Sequence, residues 1–236
     1  MENEYVRINK FISANGDFAR RKVDQLIIEG RITVNGITIT EVGFKINPAK
    51  DKVYVDGELV KANTNKVYIV LNKPSNIISS VSDEKRRQTV VDIVKVRERI
   101  FPIGRLDFDT TGLLLMTNDG DFANKLMHPK FKVDKTYIAK LSKPLEEKHK
   151  ASLMSGIRIE GKKTSPCVIK FTKRNDFSLV SITLHEGKNR QVKNMFEHYG
   201  YFVRSLHRSE YGEIKLGNLR PGEWRRLTEK EISSFS

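Results

Sequence analysis

The stretch Gly104-Arg105-Leu106-Asp107-Phe108-Asp109-Thr110-Thr111-Gly112, running straight into Leu113-Leu114-Leu115-Met116-Thr117-Asn118, constrains this chain more than any other segment. An apolar run this dense predicts a buried strand, and the two glycines bound a loop that feeds it. A loop carried by a rigid sheet can aim side chains into a cleft. Asp107 is the candidate active-site carboxylate, and Arg105, two residues earlier, can hold an anion or the carboxylate itself. From spacing alone, a turn with solvated charges is the plainer alternative.

Composition narrows the partners. The chain has 236 residues, 38% hydrophobic and 31% charged, enough for one or two soluble globular domains with a proper core. Its net charge of +14 calls for a polyanion. No long apolar run, signal peptide or basic amphipathic anchor supports a membrane surface, so a cytoplasmic nucleic-acid binder is expected. A single Cys167 excludes an internal disulfide framework and reads as a small apolar residue near the start of a strand. His128, His149, His185, His198 and His207 show no metal-ligand spacing with one another or with Cys167, so no metal is expected.

Residues 1–62 hold ten Lys and Arg against nine Asp and Glu, and the remainder holds 33 against 20. The positive excess belongs to the larger part. Between the two, Lys61-Ala62-Asn63-Thr64-Asn65-Lys66 is polar and aperiodic, as a linker is. Domains at 1–63 and 64–236 are therefore expected.

In the first domain, Val6, Ile8, Phe11 and Ile12 before Gly16, then Val23, Leu26 and Ile27 before Gly30, predict two short helices. Arg31 to Val34 reads as a strand ending at Asn35-Gly36, a hairpin signal. Arg20-Arg21-Lys22 opens the second helix, where the dipole is already positive and backbone N–H groups are free. A phosphate there would meet side chains and amides together, which points to the RNA backbone.

In the second domain, strands are predicted at Val67–Lys73, Thr136–Leu141, Val168–Thr172 and Ser178–Leu184, and helices at Gly120–Met127, Leu145–Ser155 and Arg190–Tyr199. Strands and helices without regular alternation argue for an α+β fold with a largely antiparallel sheet. Val192, Met195, Phe196 and Tyr199 make the buried face of the last helix, while Arg190 and Lys193 share another face and again call for an anion.

Pro102 to Asp107, continuing through Asp119-Gly120-Asp121-Phe122-Ala123-Asn124-Lys125-Leu126, closely resembles the signature of the ribosomal RNA pseudouridine synthases of the RsuA/RluB type. The string Arg7-Ile8-Asn9-Lys10 to Gly16, with Ala19-Arg20-Arg21-Lys22, Ile27-Ile28-Glu29-Gly30 and Val34-Asn35-Gly36, resembles the S4 RNA-binding domain. Together they cover essentially the whole chain. They imply a small S4-type domain, with Arg7, Lys10, Arg20, Arg21 and Lys22 toward RNA, followed by a mixed-sheet synthase domain. S4 domains usually carry Ser where this chain has Ala19, an absent helix cap worth about 1 kcal/mol unless Asp17 substitutes.

The resemblance also implies roles. Asp107 is the essential catalytic residue. Tyr137, in Lys135-Thr136-Tyr137, stacks on the target base and acts in proton transfer. Lys193, in Asn189-Arg190-Gln191-Val192-Lys193, is the basic partner of Asp107, and Arg190 contacts RNA. Leu206 packs near the target uridine, His207 reads as a surface or RNA-facing histidine and not a general base, and Trp224 reads as a packing residue. Lys193 or Arg105 near Asp107 would favour its ionised form.

The implied reaction, uridine to pseudouridine, needs no metal or cofactor. Its substrate is ribosomal RNA or a pre-ribosomal particle, and the protein acts as a monomer. Gly112 to Gly120 and Phe122 to Pro129 lean toward the branch that modifies 23S rRNA, while a lysine at position 193 also occurs in the 16S branch. Two rivals stand outside the family reading: a hydrolase using Asp107 and Asp109 as a carboxylate pair, although Asp109-Thr110-Thr111-Gly112 looks more like a turn or cap, and a non-catalytic RNA-binding assembly factor.

Overall fold

A computed structural model describes residues 5–16, 18–62 and 64–235. The chain separates into two compact units, residues 1–66 and 67–236. The boundary expected at residue 63 falls on Asn63, outside the described residues, as does Asp17.

The first unit runs β1 (Val6–Arg7), α1 (Ile8–Asn15), α2 (Arg20–Ile28), β2 (Ile32–Val34), β3 (Ile37–Thr38), β4 (Lys45–Ile46), β5 (Val53–Val55) and β6 (Glu58–Leu59). Val6, expected in the first helix, instead pairs with Ile46 across β1 and β4. The hairpin at Asn35-Gly36 forms as expected, with both residues at positive φ, the twist that lets β2 and β3 pair without splaying. Ile8, Phe11, Ile12, Val23, Leu26 and Ile27 from the helices pack on Ile32, Val34, Val53 and Val55 from the sheet. Ala19 caps α2 without a side-chain hydrogen bond, so that helix starts with its amides unanswered by its own cap residue.

The second unit opens with β7 (Tyr68–Lys73), α3 (Val90–Ile93), β8 (Phe101–Pro102), β9 (Thr111–Thr117) and α4 (Gly120–Met127). It continues through β10 (Lys135–Leu141), α5 (Glu147–Ser155), β11 (Arg158–Ile159), β12 (Lys162–Lys163), β13 (Val168–Lys173), β14 (Asp176–Leu184) and α6 (Gln191–Glu197). Then come β15 (Val203–Tyr211), β16 (Ile214–Lys215), β17 (Trp224–Arg226) and α7 (Glu229–Ser233). The main sheet has the order β13-β14-β10-β15-β9-β7-β17, with β16 on β15 and β8 on β9. Every pairing in it is antiparallel except β9 with β15, so the sheet is mixed and largely antiparallel, as the α+β reading expects.

The uninterrupted apolar run of β9 follows from burial on both faces. Leu114 and Met116 join Ile69, Leu71, Tyr137, Ala139 and Ile182 on one side, while Leu113 and Leu115 join Val70, Ile103, Leu126 and Ile214 on the other. Successive strand side chains point to opposite faces, so a strand covered twice must be apolar at every position. Asp119 fixes the turn out of β9: its carboxylate accepts from the amides of Asp121 and Phe122, which starts α4 at Gly120, and from the Tyr68 hydroxyl at 2.9 Å. Cys167 is buried, with its thiol pushed up to about 11 by burial, and Trp224 packs at the edge of the core.

Among the described residues no helix is long and apolar enough to cross a membrane.

Candidate active site

One registered row crosses the sheet and organises the site. Ile182 of β14 pairs with Tyr137 of β10, Tyr137 with Arg208 of β15, Arg208 with Gly112 of β9, and Gly112 with Lys73 of β7. The crossing at Gly112 admits no side chain, because a Cβ there would lie 2.3 Å from the Arg208 carbonyl oxygen. With φ at +104°, the position suits glycine on backbone grounds as well.

Lys73 ends β7 fully buried, and its ammonium gathers the loop before β9. Nζ donates to the carbonyl oxygens of Asp107 at 3.1 Å, Phe108 at 3.3 Å, Thr110 at 2.8 Å and Pro74 at 3.1 Å. Burial pushes this lysine down to about 8, against the pull of the Asp109 and Asp107 carboxylates. Ser79 clasps the same loop, its hydroxyl donating to the Leu106 carbonyl at 2.8 Å and accepting from the Leu106 amide at 3.1 Å. The Thr110 amide closes a turn onto the Asp107 carbonyl at 3.2 Å. The backbone of Asp107 is thus pinned from three directions while its side chain stays partly exposed.

Lys193 on α6 is buried, not on a solvated face, and it serves two carboxylates. Its Nζ lies 2.6 and 2.8 Å from the two oxygens of Asp109 and 3.4 Å from Asp107 Oδ2. This corrects the expectation that Lys193 shares a face with Arg190 and calls for an anion there. The anion that Lys193 needs is internal, and Asp109, read as a turn or cap residue, is its closer partner. The lysine's hydrogen bonds hold Asp109 below the usual carboxylate range. Arg190 does not share a helical face with Lys193, because it precedes the helix as its N-cap, in left-handed backbone and exposed. Arg105 is exposed and makes no ion pair with Asp107 among the described residues, so holding that carboxylate falls to Lys193.

A cavity of about 440 Å³ opens beside this loop. Arg105, Asp107, Tyr137, Arg190 and Leu206 all line it, whereas Lys193 stands outside its wall. Tyr137 is nearly buried, and its hydroxyl oxygen accepts from Arg208 Nη1 at 3.3 Å. His207 faces away from Leu206 and Arg208, half-buried, with Nδ1 2.9 Å from the Thr111 hydroxyl. Burial lowers its pKa. Lys135, also on the wall, is pushed down to about 8 by burial and by the charge of Arg208.

Arg208, the pairing of Asp109 with Lys193 and the carbonyl cage of Lys73 are the parts that sequence reasoning missed. For Arg208 a signal existed: it lies two residues beyond Leu206 on a strand, hence on the same face.

In the first unit Arg7, Arg20, Arg21 and Lys22 are exposed and Lys10 is half-buried. The first turn of α2 contains no acidic residue.

Residues 67–198 match the profile of the RNA pseudouridylate synthases, and residues 6–51 match that of the S4 domain. The chain is 44% identical to ribosomal large subunit pseudouridine synthase B of Bacillus subtilis, over 96% of this chain and 93% of that protein. It is 38% identical to the dual-specificity RNA pseudouridine synthase RluF of Escherichia coli K12, over 96% and 77%. A crystal structure of a pseudouridylate synthase superposes with a TM-score of 0.72 at 32% identity, covering 98% of this chain and all of that one. The pinned aspartate loop, the cavity beside it and these matches lead to one conclusion: the chain belongs to the RNA pseudouridylate synthase family and carries an S4 domain ahead of the synthase domain.

Proposed function

We propose that this protein isomerises one specific uridine of ribosomal RNA to pseudouridine, in the large-subunit 23S RNA, acting as a cytoplasmic monomer on the RNA or a pre-ribosomal particle. Residues 1–63 serve as RNA-binding module and linker, and residues 64–236 as catalytic domain. The observation that carries the reading is Asp107, a partly exposed carboxylate on a backbone-pinned loop, sharing one cavity with Tyr137 and Leu206. The name of the Bacillus subtilis relative supports the choice of large-subunit RNA.

In the reaction the N1–C1′ bond breaks, the base turns, a C5–C1′ bond forms, C5 loses its hydrogen and N1 gains one. Asp107 acts either as nucleophile at C1′ or as base toward the sugar, and Lys193 balances its charge. Tyr137 offers its ring to the uracil, Leu206 packs against the base, and Arg105 and Arg190 meet the flanking RNA. The uridine has to leave its stack, at a cost of a few kcal/mol that stacking and phosphate contacts offset.

The test is to incubate the protein separately with unmodified large-subunit and small-subunit RNA and to map pseudouridine in each. One new site in the large-subunit RNA is expected. A site confined to the small-subunit RNA would move the target while keeping the chemistry, and no site in either would remove the reading.

A further inference from the structure

Arg208 is 2% exposed, and among the described residues no carboxylate pairs with it. A guanidinium stays charged at any pH a protein meets, so burying it unpaired is costly, and an apolar side chain of similar length would fill the space without that cost. Its compensation is partial. Nε donates to the Leu113 carbonyl at 2.7 Å, Nη1 donates to the Tyr137 hydroxyl at 3.3 Å, and the group lies 5.8 Å and 5.2 Å from the ring centres of Tyr137 and Tyr211. Nη2 is buried without a hydrogen-bond partner. A charge kept at such cost in the wall of the cavity marks work other than stability.

The geometry limits what that work can be. Arginine has donors only, so the Tyr137 oxygen must be the acceptor of their bond, and the phenol's own hydrogen must be directed elsewhere. Both residues are held by backbone: they are registered partners on β10 and β15, and Arg208 is pressed against Gly112 on its other side.

We propose that Arg208 is a positioning residue for the isomerisation, holding the phenol oxygen of Tyr137 so that the ring face and the hydroxyl hydrogen of that tyrosine are presented together to the uracil. The inference rests on the synthase reading above and assigns Arg208 no contact with the reacting atoms.

Because C5 exchanges its hydrogen for a bond to C1′, tritium release from RNA containing 5-tritiated uridine reports turnover. The experiment compares wild type, Arg208→Met, Tyr137→Phe and the double variant in single-turnover release with enzyme in excess, alongside RNA affinity by filter binding. Arg208→Met is expected to slow release by about tenfold or more while leaving the Kd within about twofold, and Arg208→Lys to recover part of the rate. In the Tyr137→Phe background, which keeps the ring and removes the hydroxyl, Arg208→Met should cost less than about twofold further.

Equal fold-losses in both backgrounds would show that Arg208 only props the fold, and would overturn the inference. So would an undiminished rate in Arg208→Met or in Tyr137→Phe. Should Arg208→Met fail to fold, Arg208→Gln, which keeps a donor but loses the charge and the fork, carries the same cycle. An inert wild type removes the synthase reading itself, whereas an active wild type with additive losses removes this inference alone.

Discussion

Arg20, Arg21 and Lys22 stand in solvent on the first turn of α2, whereas Lys73, Lys193 and Arg208 in the second unit are 0%, 3% and 2% exposed. The exposed set leaves its helix end without an acidic neighbour in the first turn, which costs little because water and salt screen it. Of these, Lys22 donates to the Gln25 side chain at 3.1 Å on the same exposed helix face, and all three cations stay at the surface. Each buried cation is answered by a different acceptor: four backbone carbonyls for Lys73, two carboxylates for Lys193, and a carbonyl, a phenol and two aromatic rings for Arg208. Desolvated charge tolerates little misplacement, so these residues fix geometry. Positive charge is therefore left at the surface in one unit, where the proposed function would use it for RNA affinity, and fixes position in the other.

The sharpest challenge to that contrast is Asp107→Asn. Isosteric loss of the carboxylate should abolish tritium release, by about a thousandfold or more, with RNA affinity within a few-fold of wild type. Release near the wild-type rate would take Asp107 out of the mechanism.

Lys73→Met strikes the loop and not the chemistry. It takes the ammonium away from four carbonyl oxygens, of which those of Asp107 and Phe108 keep an amide donor from Thr110 and Asn76, and should destabilise the protein by about 2–4 kcal/mol in urea unfolding. The effect carries a sign in pH. Lys73 titrates near 8 when folded and near 10.5 when unfolded, so between those values the unfolded chain binds the extra proton and the lysine's contribution to stability rises with pH. The stability gap between wild type and Lys73→Met should accordingly widen from pH 8 to pH 10, on the order of 1 kcal/mol per pH unit at most. A gap that stays flat or narrows would place the titration of Lys73 elsewhere.

Replacing Arg20 and Arg21 together by alanine probes the exposed set. RNA binding should weaken and its log–log salt dependence flatten by about 0.7–0.9 for each phosphate that the variant no longer neutralises. The single-turnover rate at saturating protein should hold. If the slope does not change, these arginines are no more than a solvated face.

Smallest of all, Ala19→Ser supplies the cap that α2 lacks. A hydroxyl there can accept from an amide of the first turn, so the variant should gain about 0.5–1 kcal/mol and a slightly higher Tm. An unchanged or lower Tm would mean that those amides are already satisfied.

Much of the local structure is legible in the sequence. Asn35-Gly36 specifies its own turn, Asp119 starts α4 where the sequence predicts it, and the apolar density of residues 113–116 announces a strand hidden on both faces. These rules act over a few residues, through turn sterics, capping and side-chain alternation. The loop spacing singled out Arg105 and Asp107, and the resemblance added Tyr137, Arg190 and Leu206; all five line one cavity.

What the sequence did not disclose depends on register and long-range approach. Lys193 reaches Asp109 across 84 residues of chain, and Arg208 reaches Tyr137 across 71. Those meetings exist only because β15 lies between β10 and β9, parallel to one and antiparallel to the other, with Gly112 admitting the close crossing. Along the chain by itself, then, charge, hydrophobic period and turn chemistry determined the elements and the loop that bears the carboxylate. The tertiary structure decided which buried cation answers which oxygen, because desolvation makes such pairings strong only where the sheet has already brought the partners to hydrogen-bonding distance.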